Sequence, residues 1–383
     1  MTKPSLTRRS ALGTLGRLAA LPAVFYTPAK AAESKIKIAQ TIALSGPLGE
    51  LGQAVHQGGK ACFASVNAKG GVNGRLIELN AFDDGYDMAR SKANVEGFLK
   101  DTGNFALFSC MGTPMVEAML PQVIESGIPF FAPFTGALSA RPEKVRNVFN
   151  IRASYAEEAE QLVLHLSTIG IKRIAIVYQN NGFGKEVFSA AQRSVAKYKL
   201  NATVIATVEN NASDAAAAAA KITNAQPEAV LVSLAGKPTI EFVKAIRAQR
   251  KGLPLYALSI MGAAATLKAM GDDATGIAVS QVVPLPTNNV VPLVREFLQA
   301  WKADGTPLQP SHLALEGYIN AKVFVEALRR AGRNPTRAGF IESTWNMKRY
   351  DLGGFEVSFT ESDKNASKFV ELTMVSRDGR FIR

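Results

Sequence analysis

The sequence predicts an α/β protein built as two similar lobes of parallel sheet. Short runs rich in Val, Ile and Phe alternate with helical stretches several turns long, the pattern of βαβ units. The opening strand, Ile36-Lys37-Ile38-Ala39 with its glycine turn and helix, restarts at Lys172-Arg173-Ile174-Ala175-Ile176-Val177-Tyr178, followed by Asn181-Gly182-Phe183-Gly184. The strands expected along the whole chain would crowd one open sheet. Two lobes accommodate them.

Taken in order, residues 1–31 read as an export signal. Thr7-Arg8-Arg9-Ser10-Ala11-Leu12 leads a weakly apolar run over 11–26, and Ala29-Lys30-Ala31 is a small-x-small cleavage site near Ala31. Paired arginines and moderate apolarity favour the twin-arginine route, with a general secretory signal as the alternative. A strand over 35–44 runs into the turn Ser45-Gly46-Pro47-Leu48-Gly49. Val55-His56-Gln57-Gly58-Gly59-Lys60-Ala61 lies in a helix that stops at Asn67-Ala68-Lys69-Gly70-Gly71. Strands over 76–83, 105–111 and 130–133 and helices over 88–100 and 114–126 complete the first series, and 147–153 leads across. The second series has strands over 173–179, 203–208, 229–234, 255–260 and 278–283. Its helices cover 155–169, 183–198, 214–223 and 238–250, the alanine run 215–220 being strong helix former capped by Ser213 or Asp214. Residues 280–286 lead back, so the long helix over 313–331 belongs to the first lobe, and strands over 355–359 and 369–375 close the second. The expected lobes are 32–152 plus 285–350 and 153–284 plus 351–383.

With 383 residues, 47% hydrophobic and 20% charged, the chain is globular and large enough for two cores. Outside the leader no apolar run is long enough to cross a bilayer. Of the +12 net charge, Lys3, Arg8, Arg9, Arg17 and Lys30 supply five within the leader. The remaining basic residues are interleaved with acids, as in Lys185-Glu186, which is the pattern of solvated helix faces and argues against a nucleic-acid partner. Cys62 and Cys110 either pair in an oxidising compartment or stay as two buried thiols, the second being the simpler reading.

Signatures of catalysis are missing. His56, His165 and His312 are the only histidines, with no H-E-x-x-H, C-x-x-C, G-x-S-x-G or Walker loop, so no metal, cofactor or enzymatic role is expected. Gly46, Gly49 and Gly52 do not fit the dinucleotide fingerprint. Asp83-Asp84-Gly85-Tyr86-Asp87 opens like a calcium loop but lacks the closing glutamate, and reads as a solvated turn.

Ligands of open α/β sheets bind beyond the carboxyl ends of the strands, where helix N-termini present free N–H groups. Suitable turns are Ser45-Gly46-Pro47-Leu48, Met111-Gly112-Thr113-Pro114 and Pro133-Phe134-Thr135-Gly136-Ala137 in the first lobe. Gln179-Asn180-Asn181-Gly182-Phe183 and Ser233-Leu234-Ala235-Gly236-Lys237-Pro238 serve the second. Thr113 and Thr135 offer donors for a carboxylate; Phe134 and Phe183 offer apolar walls.

Leu44-Ser45-Gly46-Pro47, Asn67-Ala68-Lys69-Gly70-Gly71-Val72-Asn73-Gly74, Asp83-Asp84-Gly85, Gly353-Gly354 and Val375-Ser376-Arg377-Asp378-Gly379 occur in this order. In these motifs the chain resembles the leucine/isoleucine/valine-type periplasmic binding proteins of ABC transporters, from about residue 35 to its end. The resemblance implies two Rossmann-like lobes joined by a three-segment hinge, a small solute trapped between them in the periplasm, delivery to an inner-membrane permease, and neither cofactor nor catalytic residue. It places the solute carboxylate at Gly112-Thr113 and Thr135-Gly136 and an aromatic ring at Phe183. Leu234-Ala235-Gly236 and Ser259-Ile260-Met261 form the opposite wall. The family's amino-acid binders carry an acidic side chain near that last segment to hold the α-ammonium, and this stretch has none. Burying an ammonium without a counter-charge is costly. An aromatic or aliphatic acid therefore stands beside a branched-chain amino acid as the expected solute. An intracellular ligand-sensing regulator of the same fold, or an enzyme using the cleft, are the rival readings.

Overall fold

Alternating apolar residues give the first strand, and close-approach glycines decide what covers it. The computed structural model describes residues 1–2, 35–360, 363 and 365–383; residues 3–31, where the sequence predicts an export signal, lie outside the described residues. The first series is β1 (Ile36–Ile42), α1 (Gly49–Asn67), β2 (Ile77–Asp83), α2 (Met88–Lys100), β3 (Asn104–Phe108), α3 (Thr113–Ser126), β4 (Phe130–Phe131) and β5 (Val148–Phe149). Its strands pair in parallel in the order β2-β1-β3-β4-β5. The second series runs α4 (Tyr155–Thr168), β6 (Arg173–Gln179), α5 (Gly182–Lys197), β7 (Asn201–Val208), α6 (Ala215–Asn224) and β8 (Ala229–Ser233). It continues with α7 (Lys237–Gln249), β9 (Leu255–Ala257), α8 (Ala264–Met270) and β10 (Ala278–Gln281).

The chain then gives α9 (Pro292–Asp304), α10 (His312–Ala331), α11 (Arg337–Trp345), β11 (Tyr350–Asp351) and β12 (Glu356–Val357), ending in β13 (Glu371–Val375) and β14 (Phe381–Ile382). The second sheet has the order β14-β13-β10-β9-β8-β6-β7, parallel except where β13 and β14 join antiparallel. Two α/β lobes with mainly parallel sheets result, as the alternation predicts.

Helix α10 lies directly on α1. A Cβ added at Gly58 would strike the backbone of Ala314, and one at Gly317 that of Val55, so the two helices approach at backbone distance. Beneath them an aromatic core gathers Phe131, Phe149, Phe324 and Phe340, with Phe324 and Phe340 ring centroids 4.9 Å apart. Cys62 and Cys110 are separate buried thiols, each raised to about 12 by burial, so the disulfide alternative is not formed.

One expected strand is placed otherwise. Residues 355–359 do not close the second sheet: β12 pairs antiparallel with β11, and Phe355, Val357 and Phe359 sink into the first lobe's core, Phe359 lying 5.9 Å from Phe149. Burial of two phenylalanines in an aromatic core outweighs the pull of a free sheet edge. The strand expected over 278–283 ends at Gln281, and Val282 and Val283 already pack in the first lobe. Helices α9 and α11 were not singled out in the sequence; their apolar faces, with Phe297, Trp301 and Phe340, also join that core.

The chain passes between the lobes after β5, after β10 and again before β13. The first and last passages run side by side, Ala366 N–H donating to Asn150 C=O (2.9 Å) and Ser367 N–H to Ile151 C=O (2.9 Å).

Candidate functional site

The carboxyl ends of β1, β3 and β4 face those of β6, β8 and β9 across the gap between the lobes. From the first lobe, Leu48, Leu51, Tyr86, Met111, Gly112, Thr113 and Phe134 wall a cavity there; from the second come Tyr155, Phe183, Ala235 and Ile260. The cavity measures about 20 Å³, room for a single water, so the lobes stand closed on each other. Outside it lies a wider mouth of about 510 Å³ that shares Leu48, Tyr86 and Ala235 and adds Asp87, Gln179, Asn181, Asn210 and Lys237.

Two buried ends of helices frame the cavity. Gly112 precedes α3 with φ +100°, a conformation that side chains rarely adopt, and a Cβ there would meet the Tyr86 ring at 2.8 Å. Its neighbour Thr113 opens α3 with Pro114 in the first turn, leaving N–H groups of that turn without helical partners. Gly236, with φ +61°, brings the start of α7 against the opposite lobe: a Cβ there would lie 2.8 Å from Leu48 and 3.0 Å from the Pro47 carbonyl.

The Asp83-Asp84-Gly85 motif proves to be scaffolding. Asp83 accepts hydrogen bonds from the N–H groups of Leu44 (2.8 Å), Ser45 (3.1 Å) and Gly85 (2.9 Å) and from the Ser45 hydroxyl (2.5 Å). The Ser45 hydroxyl foremost, with those backbone donors, holds its carboxyl down at about 2. Asp84 is not part of a solvated turn: it is buried, accepts from Thr41 Oγ1 (3.0 Å) and from Tyr86 N–H (2.9 Å). This fixes Tyr86 at φ +61°, an uncommon setting for a bulky residue, and turns its ring toward the cavity. Burial raises the Tyr86 phenol above its ordinary value, and nearby Tyr155 adds to the effect.

Behind the cavity sits a buried charge cluster. The Arg152 guanidinium lies over the Phe134 ring (5.3 Å) and the Tyr155 ring (5.6 Å). It donates through Nη2 to Glu158 (2.9 Å) and Ser259 Oγ (2.7 Å), while Nη1 reaches Glu316 only at 3.5 Å. Glu158 also accepts from Ser259 N–H (2.9 Å) and Ser280 Oγ (2.7 Å). Burial pushes Glu316 up to about 7; for Arg152 burial alone would lower the value, but Glu316 and Glu158 outweigh it and raise it. Arg141 bonds the carbonyls of Thr135 (3.2 Å), Ala137 (2.6 Å) and Arg152 (3.1 Å), tying the turn after β4 to the first passage.

Of the residues expected to bind, Leu48, Met111, Gly112, Thr113, Phe134, Phe183 and Ala235 line the cavity, as does Ile260 from the Ser259-Ile260-Met261 wall. The others stand elsewhere. Ser45 is exposed on Asp83, and Pro133 lies buried behind the turn, its carbonyl accepting from Thr135 N–H (2.9 Å). Thr135 is fully buried, its Oγ1 sharing a hydrogen bond with Thr113 Oγ1 (2.7 Å) and accepting from Ala137 N–H (3.1 Å). Gly136 backs the Tyr155 ring. Leu234 and Met261 belong to the second lobe's core, Gly236 touches Leu48, and Ser259 serves the charge cluster. Leu51, Tyr86 and Tyr155 were missed; the one sequence signal for Tyr86 was its place in the Asp-Asp-Gly turn.

Residues 35–380 match a family model described as periplasmic binding protein. The Leu/Ile/Val-binding protein homolog 7 of Brucella melitensis is 23% identical over 94% of this chain and 94% of its own. A substrate-binding periplasmic protein from Ralstonia solanacearum is 32% identical, covering 91% of this chain and 99% of that one with a TM-score of 0.84. Two more distant structures, each 18% identical and covering 91% of this chain and 95% of theirs, share the fold. One is a branched-chain amino acid ABC transporter protein from Thermus thermophilus with bound valine (TM-score 0.83), the other a solute-binding protein from R. palustris with benzoate (0.81).

Proposed function

Since the chain belongs to the periplasmic binding protein family, we propose that it is the solute-capturing component of an ABC importer. It takes up a small carboxylate-bearing solute, either resembling a branched-chain amino acid or an aromatic or aliphatic acid, and delivers it to an inner-membrane permease. The observation that carries this reading is the cavity walled by strand-end turns of both lobes. A site so divided is complete only when the lobes meet, which couples occupancy to overall shape. Periplasmic location follows from the leader read in the sequence. The bodies that close are 35–152 with 285–359 and 153–284 with 366–383. This moves 351–359 to the first lobe on the packing of Phe355 and Phe359.

A thermal-shift screen over amino acids, aliphatic acids and aromatic acids tests the reading, because a solute that binds the folded state raises the melting temperature. A clear shift from at least one carboxylate is expected; none from any of them would refute solute capture. N-terminal sequencing of protein recovered from the periplasm should begin just after Ala31, and an intact leader on cytosolic protein would favour a regulator instead.

A further inference from the structure

The walls of the closed cavity carry no acidic or basic side chain among the described residues. Four rings surround it: Tyr86 and Phe134 from one lobe, Tyr155 and Phe183 from the other, the last two edge-to-face at 5.3 Å. The nearest acids are already occupied. Asp84 is engaged by Thr41 and by the Tyr86 N–H, and Glu158 by Arg152, Ser259 and Ser280. Asp87, at the mouth, caps α2 through the Arg90 N–H (2.8 Å). An ammonium drawn into this cavity would lose its water and meet no counter-charge.

Donors, by contrast, are in place. No hydrogen bond links the Tyr86 or Tyr155 hydroxyl to another described side chain, and both residues line the cavity. They stand on opposite lobes. The first turn of α3 adds N–H groups and the positive end of its dipole at Thr113. Behind Phe134 and Tyr155, the Arg152 guanidinium is matched by Glu158 and stacks on the two rings, which holds them in place.

We propose, resting on the solute-capture reading above, that the solute is a monocarboxylic acid with an aromatic or branched apolar body and no ammonium group. The phenols of Tyr86 and Tyr155, one from each lobe, are the donors that select its carboxylate. Recognition by this pair requires both lobes, because neither supplies both hydroxyls; with about 20 Å³ between the walls as they stand, the lobes close over a solute at a wider separation than this. Two neutral phenols and a helix end hold an anion without a side-chain counter-charge, and the rings take the apolar body.

Isothermal titration of the full mature chain with benzoate, phenylacetate and isovalerate, against L-phenylalanine and L-valine, tests the idea. At least one acid should bind 100-fold or more tighter than either amino acid. Tyr86→Phe and Tyr155→Phe keep the rings and remove the hydroxyls; each should weaken the best acid by roughly 10- to 100-fold, the usual worth of a hydrogen bond to a charged group. Their solute-free melting temperatures should stay at the parent value, which separates recognition from folding. Amino acids binding as well as the acids would overturn the inference and leave solute capture standing. Phenylalanine variants that bind acids like the parent would overturn the role of the phenols. Failure of all five probes to bind would count against the inference, and if the wider thermal-shift screen were also blank, against solute capture itself.

Discussion

Glu316 is the carboxylate that this fold accommodates least, and Glu316→Gln would show how the lobes are tied behind the cavity. Its carboxyl sits at about 7 against an ordinary 4.5, chiefly through burial, with Arg152 opposing and Glu158 adding to the rise. At 1.36 kcal/mol per pH unit this gap corresponds to roughly 3 kcal/mol. The folded protein keeps the proton up to about pH 7, whereas the unfolded chain releases it near 4.5. Between those values the folded state binds more protons, so stability from this group is fully present below 4.5 and is lost as pH rises through 7. Glutamine cannot ionise, so the variant lacks this dependence. The stability of the variant relative to the parent should therefore climb by roughly 3 kcal/mol from acid to neutral pH. Urea unfolding followed by tryptophan fluorescence at stepped pH measures it. Taking the difference also cancels His312, which burial lowers to about 3, so that it costs both proteins stability as pH falls below 6.5. A difference that stays constant across this range would mean that Glu316 is ionised in the fold and held by Arg152, and the reasoning would fail.

Thr135→Val should lower stability by about 1–3 kcal/mol, since it strands the Ala137 N–H and the Thr113 hydroxyl in a buried place; chemical denaturation reads this. Affinity should then change little, the reverse of what a direct ligand contact would give. Phe183→Ala removes a ring that is 3% exposed and packed on Tyr155. It should cost about 3–5 kcal/mol in the closed form, seen as a lower melting temperature together with weaker binding. Gly236→Ala combines an unfavourable φ with a push against Leu48 and Pro47. Small-angle scattering at saturating solute should show a larger radius of gyration than the parent, and an unchanged radius would mean that the gap between the lobes relaxes locally.

Much of the fold was legible because alternation of strand and helix is written in local composition, and the restart at Lys172 marks a second sheet. Residues 355–359 were misplaced for an equally physical reason. Phe355 and Phe359 satisfy a strand pattern, but which core they enter depends on Phe149 and Phe340, far away in sequence. The cavity residues found in advance, such as Thr113, Phe134 and Phe183, all sit on strand-end turns, where topology alone directs attention. Tyr86 and Tyr155 escaped because other things aim them: a left-handed backbone fixed by Asp84 in one case, the exit from a passage between lobes in the other. Arg152, in the apolar setting of Ile151-Arg152-Ala153, carried a faint signal, since a lone charge among buried residues needs partners that only the fold can supply.

Asp83 has a further consequence for how a solute arrives and leaves. One carboxylate fastens the loop after β1 and the loop after β2 together, using four donors, before anything is bound. The first lobe's face, with Leu48 and Tyr86 on those two loops, is thus a template whose ordering entropy was spent in folding. On the proposed reading an incoming solute meets half of its surroundings already set, so encounter rates should differ little among solutes of similar size. Discrimination would then be a matter of dwell time: how long the second lobe stays down over each occupant before the gap reopens.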